Sequence, residues 1–455
     1  MNNLKRIRAA MLALVIAPLA ACSSVPNPMR ALDIFDRDNG NEDTAPSDGR
    51  VSIMSYEQTL QAATDGDLPT VTLPTAYVNS VWPQPGGYPT HALQHTQATG
   101  NLDVAWRHSI GQGSNNDRRL NSVPVVADGH IFTIDAAGLV TAMDAETGTQ
   151  LWSTRLGAAN RYDRMSFGGG LAYDSGRLFA HNGFNFFVAL DADTGAEVWR
   201  TETLVPFQGA PTVVDGRVFV TSDDNELLAL DESNGSVMWT YQGIIETARL
   251  LTAPSPAVLG DIVVAPFASG ELVALRVQNG NPVWSDTLTT GSGLTAMSEI
   301  NDVAGSPVIM EGTVYAMSHS GTLVAIELRT GERVWTQPAG GLHTPSIAGD
   351  FMYLVTNEGE LVCLNRNTGV VHWITQLALF ENPDRRKNRI AWAGPVLAGG
   401  RVFLASSHGD AVIVNAYDGS IVREFSLGQP VFVAPIIANE TVYVVTDDAR
   451  LIALR

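Results

Sequence analysis

The chain has 455 residues, of which 45% are hydrophobic and only 16% are charged, which is enough apolar material for one large repeat ring or two to three ordinary domains. Its formal net charge is −19, an acidic surplus that repels phosphate backbones and therefore argues against nucleic acid as a partner. Only two cysteines are present, Cys22 and Cys363, so a fold that depends on disulfide cross-links is not expected.

The first 21 residues have the three parts of a signal peptide. Positive charges lie within the first eight residues, residues 9–19 are apolar but too short to span a bilayer, and small residues precede Cys22. This end of the chain resembles the lipobox of bacterial lipoproteins, which implies cleavage after residue 21 and acylation of Cys22. Ser23 follows the cysteine, and by the family's sorting pattern this implies a lipid anchor in the outer membrane, facing the periplasm. An ordinary signal peptide with a chance cysteine is the alternative.

Residues 22–98 are predicted to form a lipidated tether and an extended N-terminal segment. The stretch 33–48 is rich in Asp, Asn and Gly and has little to bury, which is typical of a flexible linker. A Pro- and Gly-rich run at 82–87 predicts a rigid entry to the main body. The sequence assigns no function to residues 33–98.

One pattern recurs seven times within residues 99–455: an apolar strand, an Asp or a replacement for it (Arg276 in the fourth copy), a Thr-Gly or related turn and, four residues after the Gly in all copies but the seventh, a Trp. An upstream hairpin that begins at Pro or Gly occurs eight times, so each unit holds four short strands. Repeated units of four short strands are typical of propeller blades, so eight such units predict an all-β fold, an eight-bladed β-propeller. The turn glycines are at positions 148, 195, 235, 280, 331, 369 and 419.

The eighth unit lacks its last strand, and the missing strand is found at the other end of the main body. Thr99 and Gly100 are followed by Trp106 with no strand before them. A strand at about 102–108 is therefore predicted to complete the C-terminal blade, closing the ring and removing its open sheet edges.

The tryptophans of the repeat are predicted to pack between neighbouring blades, where each would remove about 150–250 Å² from water. A spacing of one tryptophan per blade favours this packing role. The alternative is that the tryptophans form a set of rings on which a ligand stacks. In the seventh copy Arg423 stands where Trp is expected. The set comprises Trp106, Trp152, Trp199, Trp239, Trp284, Trp335 and Trp373.

The repeat, unbroken at residues 142–152 and 189–199, resembles the PQQ-type propeller repeat. Quinoprotein dehydrogenases and the BamB family of lipoproteins share it, and a lipobox followed by a single ring resembles the BamB family. That resemblance implies a non-catalytic adaptor of the outer-membrane β-barrel assembly (BAM) complex, which binds BamA and other subunits and assists the insertion of β-barrel proteins. It implies no cofactor and no metal.

In the BamB family, the loops that precede the first Pro of a blade are understood to bind a periplasmic domain of BamA. Two segments hold that position here, before Pro256 and before Pro307. The match is partial, because the Arg comes before the leucines and Ala304 occupies one of the two acidic positions. Ordinary loop packing is the alternative. The resemblance assigns partner binding to Arg249, Leu250, Leu251, Glu299 and Asp302.

Two other classes of function stay open at this point. A periplasmic quinoprotein dehydrogenase is disfavoured because the chain has no adjacent cysteine pair and no Asp and Glu set of the kind that holds calcium. A propeller lipoprotein that binds an envelope glycan would place its contacts near the central channel. A basic cluster at 385–389 is either a dock for acidic partners or lipid headgroups, or a solvated loop, and Cys363 is expected to be a buried, inert thiol.

Overall fold

The computed structural model of the protein describes residues 60–63, 69–157, 167, 169–246, 250, 252, 254–289 and 300–455. These residues form strands and connections and contain no α-helix. A membrane-spanning helix is accordingly not found within the described ranges.

Eight antiparallel sheets of four strands each make up the main body. Blades 1 to 4 follow one another in chain order. Blade 1 contains β2 (Val125–Ala127), β3 (His130–Ile134), β4 (Leu139–Asp144) and β5 (Gln150–Arg155); blade 2 contains β6 (Gly170–Asp174), β7 (Arg177–His181), β8 (Phe186–Asp191) and β9 (Glu197–Glu202); blade 3 contains β10 (Thr212–Val214), β11 (Arg217–Thr221), β12 (Glu226–Asp231) and β13 (Val237–Gln242); blade 4 contains β14 (Ala257–Leu259), β15 (Ile262–Pro266), β16 (Glu271–Arg276) and β17 (Pro282–Thr287).

Blades 5 to 8 repeat the same order, and a short hairpin lies between blades 6 and 7. Blade 5 contains β18 (Val308–Met310), β19 (Thr313–Met317), β20 (Leu323–Glu327) and β21 (Arg333–Gln337); blade 6 contains β22 (Ser346–Ala348), β23 (Phe351–Val355), β24 (Glu360–Asn365) and β25 (Val371–Gln376); the hairpin pairs β26 (Phe380–Asn382) with β27 (Lys387–Arg389); blade 7 contains β28 (Trp392–Ala398), β29 (Arg401–Ser406), β30 (Asp410–Asn415) and β31 (Ile421–Ser426); blade 8 contains β32 (Ile436–Ala438), β33 (Thr441–Val445), β34 (Arg450–Leu454) and β1 (Val104–Ser109).

The ring is closed by the N-terminal strand of the main body, as predicted. Strand β1 pairs antiparallel with β34, from Val104 opposite Leu454 to Ser109 opposite Arg450. Beyond the strands, the backbones of Asp103 and Arg455 exchange two hydrogen bonds of 2.7 and 2.9 Å. This pairing confirms the eight-bladed propeller and its closure.

Side-chain chemistry explains the position of each strand within a blade. The two middle strands of each blade consist mainly of apolar residues, many of them β-branched or aromatic, and are buried on both faces, as in β19, where Val314 to Met317 are all buried. The outermost strands alternate between exposed and partly buried residues. At the repeat turn, the Asp144 carboxylate accepts hydrogen bonds of 2.8 Å from the amide and the hydroxyl of Thr147, and these bonds lower the pKa of Asp144.

Each repeat tryptophan packs against the turn glycine of the next blade. A Cβ atom added to Gly235 would come within 2.4 Å of the Trp199 ring, and one added to Gly195 within 2.5 Å of Trp152. Six of the seven indole N–H groups also donate to a backbone carbonyl of the following blade, as Trp199 does to Glu232 at 3.0 Å. The Trp and Gly of the repeat therefore form the packing contact between neighbouring blades.

Arg423 takes the place of a tryptophan at the joint where the ring closes. Its guanidinium donates to the carbonyl of Asn101 at 2.6 Å and to the Asp103 carboxylate at 2.9 Å. Because the turn of blade 8 is split between the two ends of the main body, a long charged side chain ties the incoming N-terminal strand to blade 7.

Residues 77–98, which we call the strap, cross the end of the central channel and contact all eight blades. The first strand of each blade is its innermost strand, and its free edge would otherwise leave amide groups without partners. The strap supplies those partners in blade order. The N–H groups of Asn439, Val126, Tyr173, Val213, Val258, Ile309, Gly349 and Gly399 donate, respectively, to oxygens of Asn79, Trp82, Pro83, Gln84, Pro89, Thr90, Gln94 and Thr96, at distances of 2.6 to 3.1 Å.

Candidate functional site

The connections between blades lie at the end of the channel opposite the strap. Each inner strand starts at such a connection and runs toward the strap. The two segments that the sequence analysis singled out for partner binding are the connection from blade 3 to blade 4 and the connection from blade 4 to blade 5. Leu250 and Asp302, described residues of these two segments, therefore belong to one face of the ring, which we call the loop face.

The structure brings Leu250 and Asp302 together. The Leu250 amide donates a hydrogen bond of 3.0 Å to the Asp302 carboxylate, across two neighbouring connections. Asp302 is only 2% exposed, and its own carbonyl accepts a bond of 2.8 Å from the His319 amide. The carboxylate thus lies inside the face and holds the half-buried Leu250 in place.

A glutamine fixes the same loop from the other side. Gln208, in the connection from blade 2 to blade 3, donates through Nε2 to the carbonyls of Leu250 and Thr252 at 3.2 and 3.3 Å. Three consecutive connections are therefore cross-linked at Leu250.

Hydroxyl groups link these connections again, closer to the channel. The Ser255 amide donates to the Ser306 hydroxyl at 2.8 Å, and the Ser306 amide donates to the Thr344 hydroxyl at 3.0 Å. The Ser255 and Thr212 hydroxyls lie 2.6 Å apart. The residues just before the first strands of blades 4, 5 and 6 thus form a continuous chain of hydrogen bonds that makes this part of the face rigid.

Large apolar side chains protrude from the same connections. Leu204 is fully exposed, and Ile244 and Ile245 are 61% and 64% exposed. Sequence reasoning missed these three residues, because single apolar residues in a loop do not stand out from the repeat. Exposed apolar side chains on a rigid face are typical of a protein-binding surface.

Several predicted residues lie outside the described residues. Arg249, Leu251 and Glu299 of the partner-binding set are among them, and so is Cys22, the predicted acylation site. The basic cluster at 385–389 is described and lies on and between the exposed strands β26 and β27, with Arg389 donating to the Asn357 carbonyl.

The channel contains a cavity of about 290 Å³, which we call the cup, lined by residues of the strap and of the connections between blades. Its wall consists of the residues that precede and begin the inner strands, with Pro254, Pro345, Pro395 and Pro435 among them. Its floor includes Trp82 and His91 of the strap.

The cup does not suit the cofactor of the quinoprotein dehydrogenases. Among the described residues that line it there is no Asp, Glu, Lys or Arg, and burial lowers the pKa of both its histidines, His91 and His343, to about 4. Pyrroloquinoline quinone carries several carboxylates, and burying them without a countercharge is strongly unfavourable. The residues present therefore do not fit that group.

Other features associated with catalysis also fail to assemble in the described part of the chain. No group of three or more His, Cys, Asp or Glu side chains is placed to hold a metal ion there. Cys363 is fully buried, and burial raises the pKa of its thiol to about 12, so that it is not a nucleophile at neutral pH.

Comparison with known sequences relates most of the chain to one family. The family model described as outer membrane protein assembly factor BamB matches residues 136–375 and 382–455. A model of the β-propeller domain of glucose, ethanol and alcohol dehydrogenases matches residues 88–176. The assembly factor BamB of Alkalilimnicola ehrlichii is 34% identical over 78% of this chain and 88% of its own length. That of Salmonella typhimurium is 29% identical over 77% of this chain and 88% of its own length.

Solved structures share the fold at lower identity. BamB from Moraxella catarrhalis superposes with a TM-score of 0.67 at 18% identity, covering 78% of this chain and 99% of the other. A quinohemoprotein alcohol dehydrogenase from Comamonas testosteroni superposes with a TM-score of 0.65 at 14% identity, covering 83% of this chain and 81% of the other. At these identities the superpositions establish the propeller alone.

Proposed function

The chain belongs to the BamB family of outer membrane protein assembly factors, and on that premise we propose that it is a non-catalytic adaptor that binds BamA through its loop face. In this role it assists the insertion of β-barrel proteins into the outer membrane as a subunit of the BAM complex. The hydrogen bond between Leu250 and Asp302 is the observation that carries the proposal, since it fixes two neighbouring connections into one surface.

The chemistry of the loop face supports a protein partner. Leu204, Ile244 and Ile245 offer apolar area, and the cross-links through Gln208 and Asp302 hold the connections in one arrangement before binding. A pre-organised surface loses less conformational entropy on association, so more of the contact energy appears as affinity. Arg249 and Leu251 are proposed as direct contacts, with the Arg pairing with a carboxylate of the partner.

A lipid anchor at Cys22 would keep the adaptor beside the membrane. Each buried CH₂ group of an acyl chain contributes about 0.8 kcal/mol to membrane binding, and more than one chain is needed for a stable anchor. We therefore expect Cys22→Ser to prevent acylation and to release the protein from the outer-membrane fraction, with the loop face unaffected.

The direct test is a mild-detergent pull-down of the tagged lipoprotein from its own membranes, with mass spectrometry of the captured proteins. Recovery of BamA and other assembly lipoproteins is expected. The triple variant Arg249→Ala, Leu250→Ala, Leu251→Ala is expected to fold and to lose most of the captured BamA.

A matched control triple is available on the outer strand of blade 7, where Ile421, Val422 and Glu424 are exposed. Alanine at these three positions should leave BamA capture at the wild-type level. Equal capture by a well-folded loop triple and by the wild type would overturn the site, and absence of BamA from the wild-type sample would overturn the function.

A further inference from the structure

The connection from blade 6 to blade 7 contains the hairpin of β26 and β27, residues 380–389, which we call the finger. Like the other connections between blades, it belongs to the loop face, because it joins an outer strand to the next inner strand. All residues from Glu381 to Arg389 are exposed. The finger is therefore an addition to the ring that none of the eight blades needs for its own sheet.

Buried contacts hold the base of the finger in place. Ile390 is 9% exposed, and its amide donates a hydrogen bond of 2.9 Å to the Leu379 carbonyl. The indole of Trp392 donates to the Ala378 carbonyl at 2.9 Å. Blade 6 adds a lateral contact, since the Arg389 guanidinium donates to one of its turn carbonyls. The position of the finger on the loop face is thus fixed by the protein itself.

The tip of the finger concentrates positive charge in a chain whose formal net charge is −19. Arg385, Arg386 and Lys387 are consecutive, and their side chains form no ion pair or hydrogen bond within the described part of the chain. Most of the other described arginines are bonded, as Arg333 is to the Asp286 carboxylate at 2.7 Å. Three adjacent cations without a countercharge are therefore an exception in this molecule.

The two carboxylates of the finger offset this charge only in part. Glu381 accepts a hydrogen bond of 2.5 Å from the side-chain amide of Asn388, its neighbour across the hairpin. Strand alternation places this pair on one face of the finger and Lys387 and Arg389 on the other. Asp384 lies in the turn. The finger has four cations against two carboxylates, so its attraction for negative charge is strongest at the tip.

The surroundings of the finger favour a narrow acidic partner over a membrane. Glu358 of blade 6 and Asp410 of blade 7 lie near the same end of the ring, and both are exposed. A flat anionic bilayer at the tip would bring its charges toward these carboxylates, whereas a polypeptide segment can contact the finger alone. Arginine also pairs with a carboxylate through two parallel hydrogen bonds, which suits Asp and Glu side chains.

We propose that the finger is an electrostatic docking element for an acidic segment of the protein that binds the loop face. This inference rests on the proposed function, which takes BamA as that protein. The finger lies two connections further round the ring than Asp302, so it forms a contact separate from the one at Leu250. Charges outside the apolar centre of an interface act mainly on the association rate, through a long-range attraction that salt screens.

The test measures the association of full-length BamA in detergent with the intact lipoprotein and with the variant Arg385→Gln, Arg386→Gln, Lys387→Gln. At about 0.1 M salt, where the Debye length is about 10 Å, the variant should associate about 5-fold more slowly and dissociate at nearly the wild-type rate. At about 1 M salt, where the Debye length is about 3 Å, the two association rates should converge.

A matched control removes the same number of cations from other parts of the ring. Arg107 lies on the outer strand of blade 8, and Arg276 and Arg329 lie at the opposite end of the ring from the loop face; all three are exposed. The variant with Gln at these three positions should associate at close to the wild-type rate. If it is slowed as much as the finger variant, the net charge of the protein and not the finger is responsible, and the proposal is wrong.

The remaining outcomes separate the finger from the proposed function. Wild-type binding of BamA with an unchanged association rate for the finger variant would refute the docking role and leave the adaptor role in place. No binding of BamA by the wild type would refute the adaptor role and, with it, the partner assigned to the finger. Finger-dependent binding of the lipoprotein, held in phosphatidylcholine nanodiscs, to phosphatidylglycerol vesicles would assign the finger to lipid and would also refute the proposal.

Discussion

The carboxylate of Asp302 accepts a hydrogen bond of 3.0 Å from the backbone amide of Leu250, a residue 52 positions earlier in the chain. An acidic side chain that the resemblance assigns to partner contact is thus directed into the protein. It acts on the loop face by positioning the main chain of the preceding connection.

Replacing Asp302 with Ala is expected to weaken BamA binding by roughly 10-fold, because the Leu250 amide loses its acceptor and an unpaired buried amide costs about 1–3 kcal/mol. Asp302→Asn keeps a side-chain oxygen and should recover most of the affinity. Affinities can be measured with immobilised BamA periplasmic domain. If Asn and Ala weaken binding equally, Asp302 does not act through this hydrogen bond.

The exposed isoleucines of the loop face give a second prediction. Ile244→Ser combined with Ile245→Ser should reduce BamA binding without changing the melting temperature, since neither side chain is buried in the free protein. Val422→Ser is the control, because Val422 is 58% exposed but lies on the outer strand of blade 7. Equal binding by the double variant and the control would remove these residues from the partner surface.

The packing of tryptophan on glycine can be separated from backbone strain with two alanine variants. Gly235 has φ +73° and contacts the Trp199 ring, whereas Gly216 has φ +74° and open space around its Cα. Gly216→Ala should cost about 1–2 kcal/mol from the left-handed backbone alone. Gly235→Ala carries the same strain and also a clash, so its free energy of unfolding should fall further, by roughly 2 kcal/mol or more beyond the control. Equal losses in denaturant titrations would show that the indole contact contributes nothing.

Buried histidines predict how stability depends on pH. Burial lowers the pKa of His181 from 6.5 to about 4, and its Nε2 donates to the Gly209 carbonyl at 2.8 Å. As the pH falls, His181 therefore becomes protonated near pH 6.5 in the unfolded chain but only near pH 4 in the folded chain. The contribution of His181 to stability is complete above pH 6.5 and is lost as the pH falls toward 4, at up to about 1.4 kcal/mol per pH unit.

The variant His181→Gln tests this dependence. Glutamine keeps a donor for the Gly209 carbonyl but does not titrate, so the free energy of unfolding should fall less steeply between pH 6.5 and 4 than in the wild type. Denaturant titrations across this range provide the slopes. Parallel slopes would mean that His181 is not the titrating group.

The sequence predicted the fold well because the propeller is built from local, repeated chemistry. A turn Gly recurs in every copy, an Asp or a replacement for it precedes the turn, and a Trp follows it in all copies but one. Each of these residues acts on its own hairpin or on the next blade. The closure by β1 followed from a count of strands, since a Thr-Gly and Trp106 without a preceding strand matched a final unit without its last strand.

The strap and the orientation of Asp302 could not be predicted in the same way. Most of the strap's bonds to the blades use main-chain groups, for which side-chain identity leaves no pattern in the sequence. The burial of Asp302 depends on where Leu250 lies after the ring has closed. Arg423 is an intermediate case: its departure from the repeat was visible in the sequence, but its partners Asn101 and Asp103 became visible only in the closed ring.

The strap has a consequence for the order of folding. Its first contact, between Asn79 and Asn439, joins residues separated by most of the described chain, and its others span every blade in between. Bringing such distant residues together is slow, and the N–H groups that donate to the strap are in place only when the inner strands have formed. The strap is synthesised before every blade, yet it is therefore among the last segments to dock. Its docking is complete only after the eighth blade has formed.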